Sequence, residues 1–134
     1  MKKQLIMTMS IVLAITLLAF APRNMDQKPW PVPDADKAKV NPVKSDATSI
    51  GNGKNVYNTQ CKSCHGAKGK GDGPKAAQLD TECGDFTKAS FQAQTDGAIF
   101  YKINTGRKDM PSFKKKIAEP NDVWALVNYL RTLK

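Results

Sequence analysis

The stretch Cys61-Lys62-Ser63-Cys64-His65 constrains this chain more than any other. Two thiols three positions apart, with an imidazole directly after the second, form the C-x-x-C-H signature of c-type haem attachment. Each part has a chemical reason. Two vinyl groups each take one thiol as a thioether, and the two-residue spacer lets one turn of chain reach both. His65 then falls where a neutral imidazole nitrogen can ligate the iron. Other chemistries use C-x-x-C. A zinc site would need Cys83 as a fourth ligand, and would need adjacent Cys64 and His65 to point at one metal, which tetrahedral geometry makes awkward. A thioredoxin-like pair would sit in a βαβ pattern, and none is present here.

The chain has 134 residues, enough for one domain and its processing segments. Met1-Lys2-Lys3 is a positive n-region, Leu5 to Phe20 an apolar core, and Ala19-Phe20-Ala21 an A-x-A site, so residues 1–21 read as an export signal cleaved after Ala21. Left uncleaved, the segment would be a short membrane anchor. Either way the rest leaves the cytoplasm, to the periplasm or to a membrane surface facing it. Cleavage would leave 113 residues at a formal charge of +7. That is small for a self-sufficient core, and a flat apolar cofactor would supply buried surface. The basic balance fits acidic partners or anionic lipid. Nucleic acid is excluded as a partner, because the chain is exported and its lysines are not interleaved with stacking aromatics.

Residues 22–47 carry Pro22, Pro29, Pro31, Pro33 and Pro42, five of the eight prolines, and read as an extended tether. The haem domain is expected over 48–134. Thr48 or Ser49 would cap a first helix ending near Gln60, in which Gly51 and Gly53 each cost about 1 kcal/mol unless another helix approaches closely. The glycine-rich run Gly66–Gly73 is not a phosphate loop, since Asp72 and Gly73 stand where Lys and Ser/Thr belong. It reads as a loop near the haem edge, ended by Pro74, with one helical turn over Lys75–Leu79. Residues 81–93 read as irregular. Cys83 has no partner left within the chain, which leaves a packed thiol, an intermolecular disulfide or a reactive surface thiol. Thr95 caps a helix from Asp96 to about Asn104 that buries Ile99, Phe100 and Ile103.

Ligand arithmetic picks out Met110. His65 is the only histidine, and Met1, Met7, Met9 and Met25 lie in the leader and tether. Met110 is therefore the one thioether within the haem domain, beside the stiffening Pro111. A deprotonated lysine is the other neutral donor. Glu119-Pro120 opens a final helix with Val123, Leu126, Val127, Leu130 and Leu133 at helical spacing, Trp124 and Tyr129 alongside.

This order of elements resembles a class I monohaem cytochrome c of the small bacterial periplasmic type over about residues 48–134. The resemblance implies an all-α cytochrome c fold of three to five short helices wrapped around one covalently bound haem c. It implies Cys61 and Cys64 as thioethers, His65 as proximal and Met110 as distal iron ligand. It also implies a Pro74 carbonyl that accepts from the proximal histidine, Leu79 packed on the haem, and a helix crossing at Gly53 and Tyr129. The implied function is one-electron transfer rather than enzyme catalysis. A reductase or dehydrogenase would be the donor, and a terminal oxidase or peroxidase the acceptor. Lysines 62, 68, 70, 75, 108 and 114–116 would dock such partners. Two alternatives stand beside it: a haem subunit of a larger periplasmic oxidoreductase, and a haem enzyme or gas sensor in which Met110 is displaced.

Overall fold

Eight consecutive residues of the last helix, Val123 to Leu130, are buried, so this helix is surrounded rather than laid on a surface. The computed structural model describes residues 29–134; the expected export signal, the first part of the lead and Met25 lie outside the described residues. The order is α1 (Asp34–Lys37), α2 (Ala47–Gln60), α3 (Lys62–His65), a 3-10 turn (Ala76–Gln78), α4 (Ala89–Gln92), α5 (Asp96–Thr105) and α6 (Pro120–Leu130). Among the described residues there is no strand, only an antiparallel bridge between Arg107 and Met110. The fold is all-α. Three helices have ten or more residues and the others are single turns.

One face of α6 is taken by α2. Ser49, Gly53 and Tyr57 recur every fourth residue and form the buried stripe of α2. At Gly53 the backbones touch: an added Cβ would lie 2.0 Å from the Ala125 carbonyl oxygen and 2.9 Å from the Leu126 nitrogen. One turn on, the Tyr57 and Tyr129 rings meet at 5.2 Å and 55°. The expected crossing at Gly53 and Tyr129 is present. The cap is not where the sequence put it. Asp46, rather than Thr48 or Ser49, is the N-cap: its carboxylate accepts from Ser49 N at 2.9 Å, and Ser49 Oγ accepts from Asp46 N at 3.1 Å. That reciprocal pair satisfies two otherwise orphaned donors.

A second face of α6 receives α5. Thr95 caps it as expected, accepting from Ala98 N at 3.2 Å, and Gly106 ends it at φ 68°. Ile99 and Ile103 are buried, and Phe100 stacks on Trp124 at 4.0 Å. Residues 81–93, expected to be irregular, contain the turn α4. Its Gln92 amide donates to the carbonyls of Phe86, Leu130 and Leu133, so a side chain closes the end of α6. Arg131 donates to Asp96 and to the Gln92 and Gln94 carbonyls, fixing the entry to α5.

The third face corrects the tether. Pro31–Lys134 form one unit, so the stretch from Pro31 to 47 belongs to the domain. Asn128, buried in α6, accepts from Asn41 Nδ2 at 2.9 Å. It donates to the Val43 and Lys44 carbonyls and to Ser49 Oγ at 3.1–3.3 Å. A buried amide must find such partners, and the lead provides them. Farther back, the carbonyls of Asp36 and Lys39 lie 2.1 and 2.8 Å from where a Gly97 Cβ would stand, so α1 rests backbone-to-backbone on α5. Proline and charge at these positions do not prevent docking, because contact is made through main-chain groups, the Asn41 amide and the apolar Val32 and Val43.

Candidate haem site

Cys61 ends α2 and starts α3, so the two thiols and the imidazole share one helical turn at the edge of the core. The Cys61 carbonyl accepts from Cys64 N and His65 N at 3.2 and 3.0 Å. Tyr57, fully buried, donates its hydroxyl to the Gly66 carbonyl at 2.7 Å and fixes the exit of the motif. The glycine loop then folds back on it. Gly71 N bonds to His65 O, Gly73 N to Cys64 O and Lys75 N to Ser63 O, at 2.9–3.1 Å. Gly73 lies so close to the motif that an added Cβ would be 2.5 Å from the Ser63 oxygen. Only glycine permits that approach.

The far wall is residues 81–86. Phe86 N donates to Gly69 O at 2.7 Å, and the Phe86 ring stacks on His65 at 4.3 Å and 27°. His65 Nδ1 is buried with no hydrogen-bond partner. Burial lowers the His65 pKa and the backbone of Gly84 acts in the other direction, so the imidazole is neutral, its ligating form. The resemblance assigned the acceptor role to Pro74. In the structure Pro74 is exposed and its carbonyl takes no bond from Nδ1. On either side of it, Gly73 N and Lys75 N donate to the Cys64 and Ser63 carbonyls. Leu79 is half-buried just after the 3-10 turn.

Met110 borders the same hydrophobic cluster as Cys61 and Phe86. Its backbone is pinned. Arg107 and Met110 exchange both main-chain hydrogen bonds at 2.8 and 3.0 Å, with Lys108 at φ 52° in the turn between. Gly106 packs against this turn, where an added Cβ would stand 2.7 Å from the Met110 oxygen and 2.4 Å from Ser112 N. Asp109 reaches out of the turn to accept from Thr81 N at 2.8 Å.

The thiols are free. Burial and the neighbouring Cys64 push the Cys61 thiol up to about 12. Cys83 is half-buried, and its thiol is raised by burial and by Cys64 and Asp109. Among the described residues no group of three or more His, Cys, Asp or Glu gathers to hold a metal ion, so the three cysteines and His65 do not form a tetrahedral site. Gly84, Phe86 and Asp109 were missed from the sequence. An aromatic two residues past the glycine that follows Cys83 was the only local signal.

The family model for cytochrome c oxidase, cbb3-type, subunit III matches residues 48–130, more than half of the chain. The chain belongs to this family of c-type cytochrome domains. A search of curated proteins finds no match. Among solved structures, the cytochrome is similar to a chain of the reducing HAO-like protein complex of Kuenenia stuttgartiensis, with 27% identity and a TM-score of 0.63. The match covers 87% of this chain and 56% of that one, so the cytochrome spans little more than half of its neighbour. Haem-based electron transfer and a class I fold follow from the family. The residues of the site fit the cofactor: two free thiols on one turn, and a neutral imidazole whose buried Nδ1 has no protein partner. No helix among the described residues is long and apolar enough to cross a membrane.

Proposed function

We propose that this cytochrome holds one haem c through Cys61 and Cys64, with His65 and Met110 as axial ligands, and passes single electrons between periplasmic redox proteins. The observation that carries this reading is the construction of the Met110 turn, closed by the Arg107 bridge and backed by Gly106. A methionine used only as filler needs no such frame. When bound, the haem supplies a one-electron iron couple, whose potential a thioether ligand raises. The chain's own part is rigidity. Phe86 stacks on the imidazole, Tyr57 anchors the motif's exit, and the Arg107 bridge fixes the methionine's backbone. Two protein ligands leave no coordination position for a substrate, which favours a carrier over an enzyme or gas sensor. The test is carbon monoxide added to the reduced holoprotein at neutral pH. A closed site gives no spectral change, and binding would overturn it.

The same site serves a haem subunit of a larger periplasmic oxidoreductase. The family description names an oxidase subunit and the structural neighbour lies in a complex, which favours this second reading. Purification from the native membrane and periplasm separates the two. A subunit arrives at fixed stoichiometry with its enzyme, and a carrier arrives alone.

A further inference from the structure

The turn that carries Met110 and the loop that packs on His65 lie apart in sequence, and a side chain ties one to the other. Asp109 immediately precedes Met110, and its Oδ2 accepts from the backbone N–H of Thr81 at 2.8 Å, 28 residues away. Further ties of the methionine turn run within the turn and to α5. Ser112 Oγ bonds to Asn104 O and Phe113 N to Ile103 O. The Asp109 bond goes instead to the loop that surrounds His65. Residues 82–88 form no helix or strand before the chain reaches α4, yet the anchors on them serve the proximal side. The Cys83 carbonyl lies against Gly71, 2.3 Å from where a Cβ would stand. The Phe86 ring stacks on the imidazole.

We infer that Asp109 is a positioning residue for the distal ligand, fixing the Met110 turn against the loop that orients His65. The inference rests on Met110 being the sixth ligand and deepens that reading. The turn already carries a left-handed non-glycine residue, Lys108, at φ 52°, so its shape is held by neighbours rather than by local preference. A carboxylate accepting from a backbone N–H is a strong, directional tie. Without it the turn keeps its internal bridge but is held less firmly against that loop, and the methionine leaves the sixth position more readily.

The experiment titrates imidazole into ferric holoprotein at fixed pH, for wild type, Asp109→Ala, Asp109→Asn and Thr81→Pro. Imidazole competes with the sixth ligand, so its affinity reports how firmly Met110 is held. Asp109→Ala should bind imidazole about tenfold more tightly, the equivalent of about 1.4 kcal/mol. Thr81→Pro, which removes the donor and leaves Asp109 in place, should do the same. Asp109→Asn keeps an oxygen acceptor and should restore most of the wild-type value, which a role in charge alone would not allow. A wild type that shows the methionine-to-iron charge-transfer band, with variants within twofold of it, would overturn the inference and spare the Met110 reading. A wild type without the band would overturn both. If the alanine variant does not yield holoprotein, Thr81→Pro and Asp109→Asn decide the matter on the same scale.

Discussion

The Gly53 Cα faces the Ala125 carbonyl so closely that one added carbon would stand 2.0 Å from the oxygen. Gly51, two residues earlier on the same helix, has nothing within 4 Å of that position. The two glycines should therefore respond oppositely to alanine. Gly51→Ala gains helix propensity and should stabilise by about 0.5–1 kcal/mol. Gly53→Ala gains the same propensity but must push the backbones of α2 and α6 apart, and should lose about 1–3 kcal/mol net. Denaturant unfolding of both holoproteins checks the sign, and equal responses would contradict the crossing.

Asn128 holds the lead in place. Asn128→Leu would leave the Val43 carbonyl without its donor and remove one of the partners of Asn41 and of the Lys44 carbonyl, at a cost of about 1–3 kcal/mol. The expected signature is local as well as global. Trypsin should cut at Lys37, Lys39 and Lys44 in the variant under conditions where the wild-type lead resists.

Tyr57 makes the fold sensitive to alkali. Burial is the first cause that raises its pKa above the ordinary 10.0, and neighbouring Tyr129 and Asp72 add to it. In the unfolded chain the phenol loses its proton near pH 10, while the native phenol keeps it. The unfolded state then binds fewer protons, so stability falls as pH rises past 10. In Tyr57→Phe this component of the slope should vanish, while stability at neutral pH drops because the Gly66 carbonyl loses its donor. Unfolding curves between pH 8 and about 11 separate the two effects.

All eight lysines named around the motifs are exposed, and none enters a salt bridge among the described residues. Docking on an acidic partner should therefore slow as ionic strength rises. Stopped-flow electron transfer with the physiological partner should fall steeply with salt, and Lys→Glu changes at positions 68 and 70 should slow it further. Salt-independent rates would remove the lysines from the docking surface.

What could be read from the sequence was what local chemistry dictates. Cys61, Cys64 and His65 are adjacent, Met110 is the one thioether left in the domain, and Gly53 announced a close crossing by its cost. What could not be read depends on contacts between distant residues. Asp46 caps α2 because Ser49 answers it, and a Thr-Ser pair nearer the apolar residues hid that. The lead looked like a tether because its prolines and charges dominate its composition, whereas it docks through carbonyls, the Asn41 amide and two valines. Asn128, an amide amid Val127 and Tyr129, was the signal that something polar would cover α6. The environment of His65 needed Gly84 and Phe86, whose position depends on the bond from Phe86 N to the glycine loop at Gly69.

The most direct measurement is the optical spectrum of oxidised and reduced holoprotein beside Met110→Ala. A low-spin ferric spectrum with a methionine-to-iron charge-transfer band, lost in the variant, is the result expected of a closed His65/Met110 site. A high-spin wild-type spectrum, or a band that survives the substitution, would contradict it.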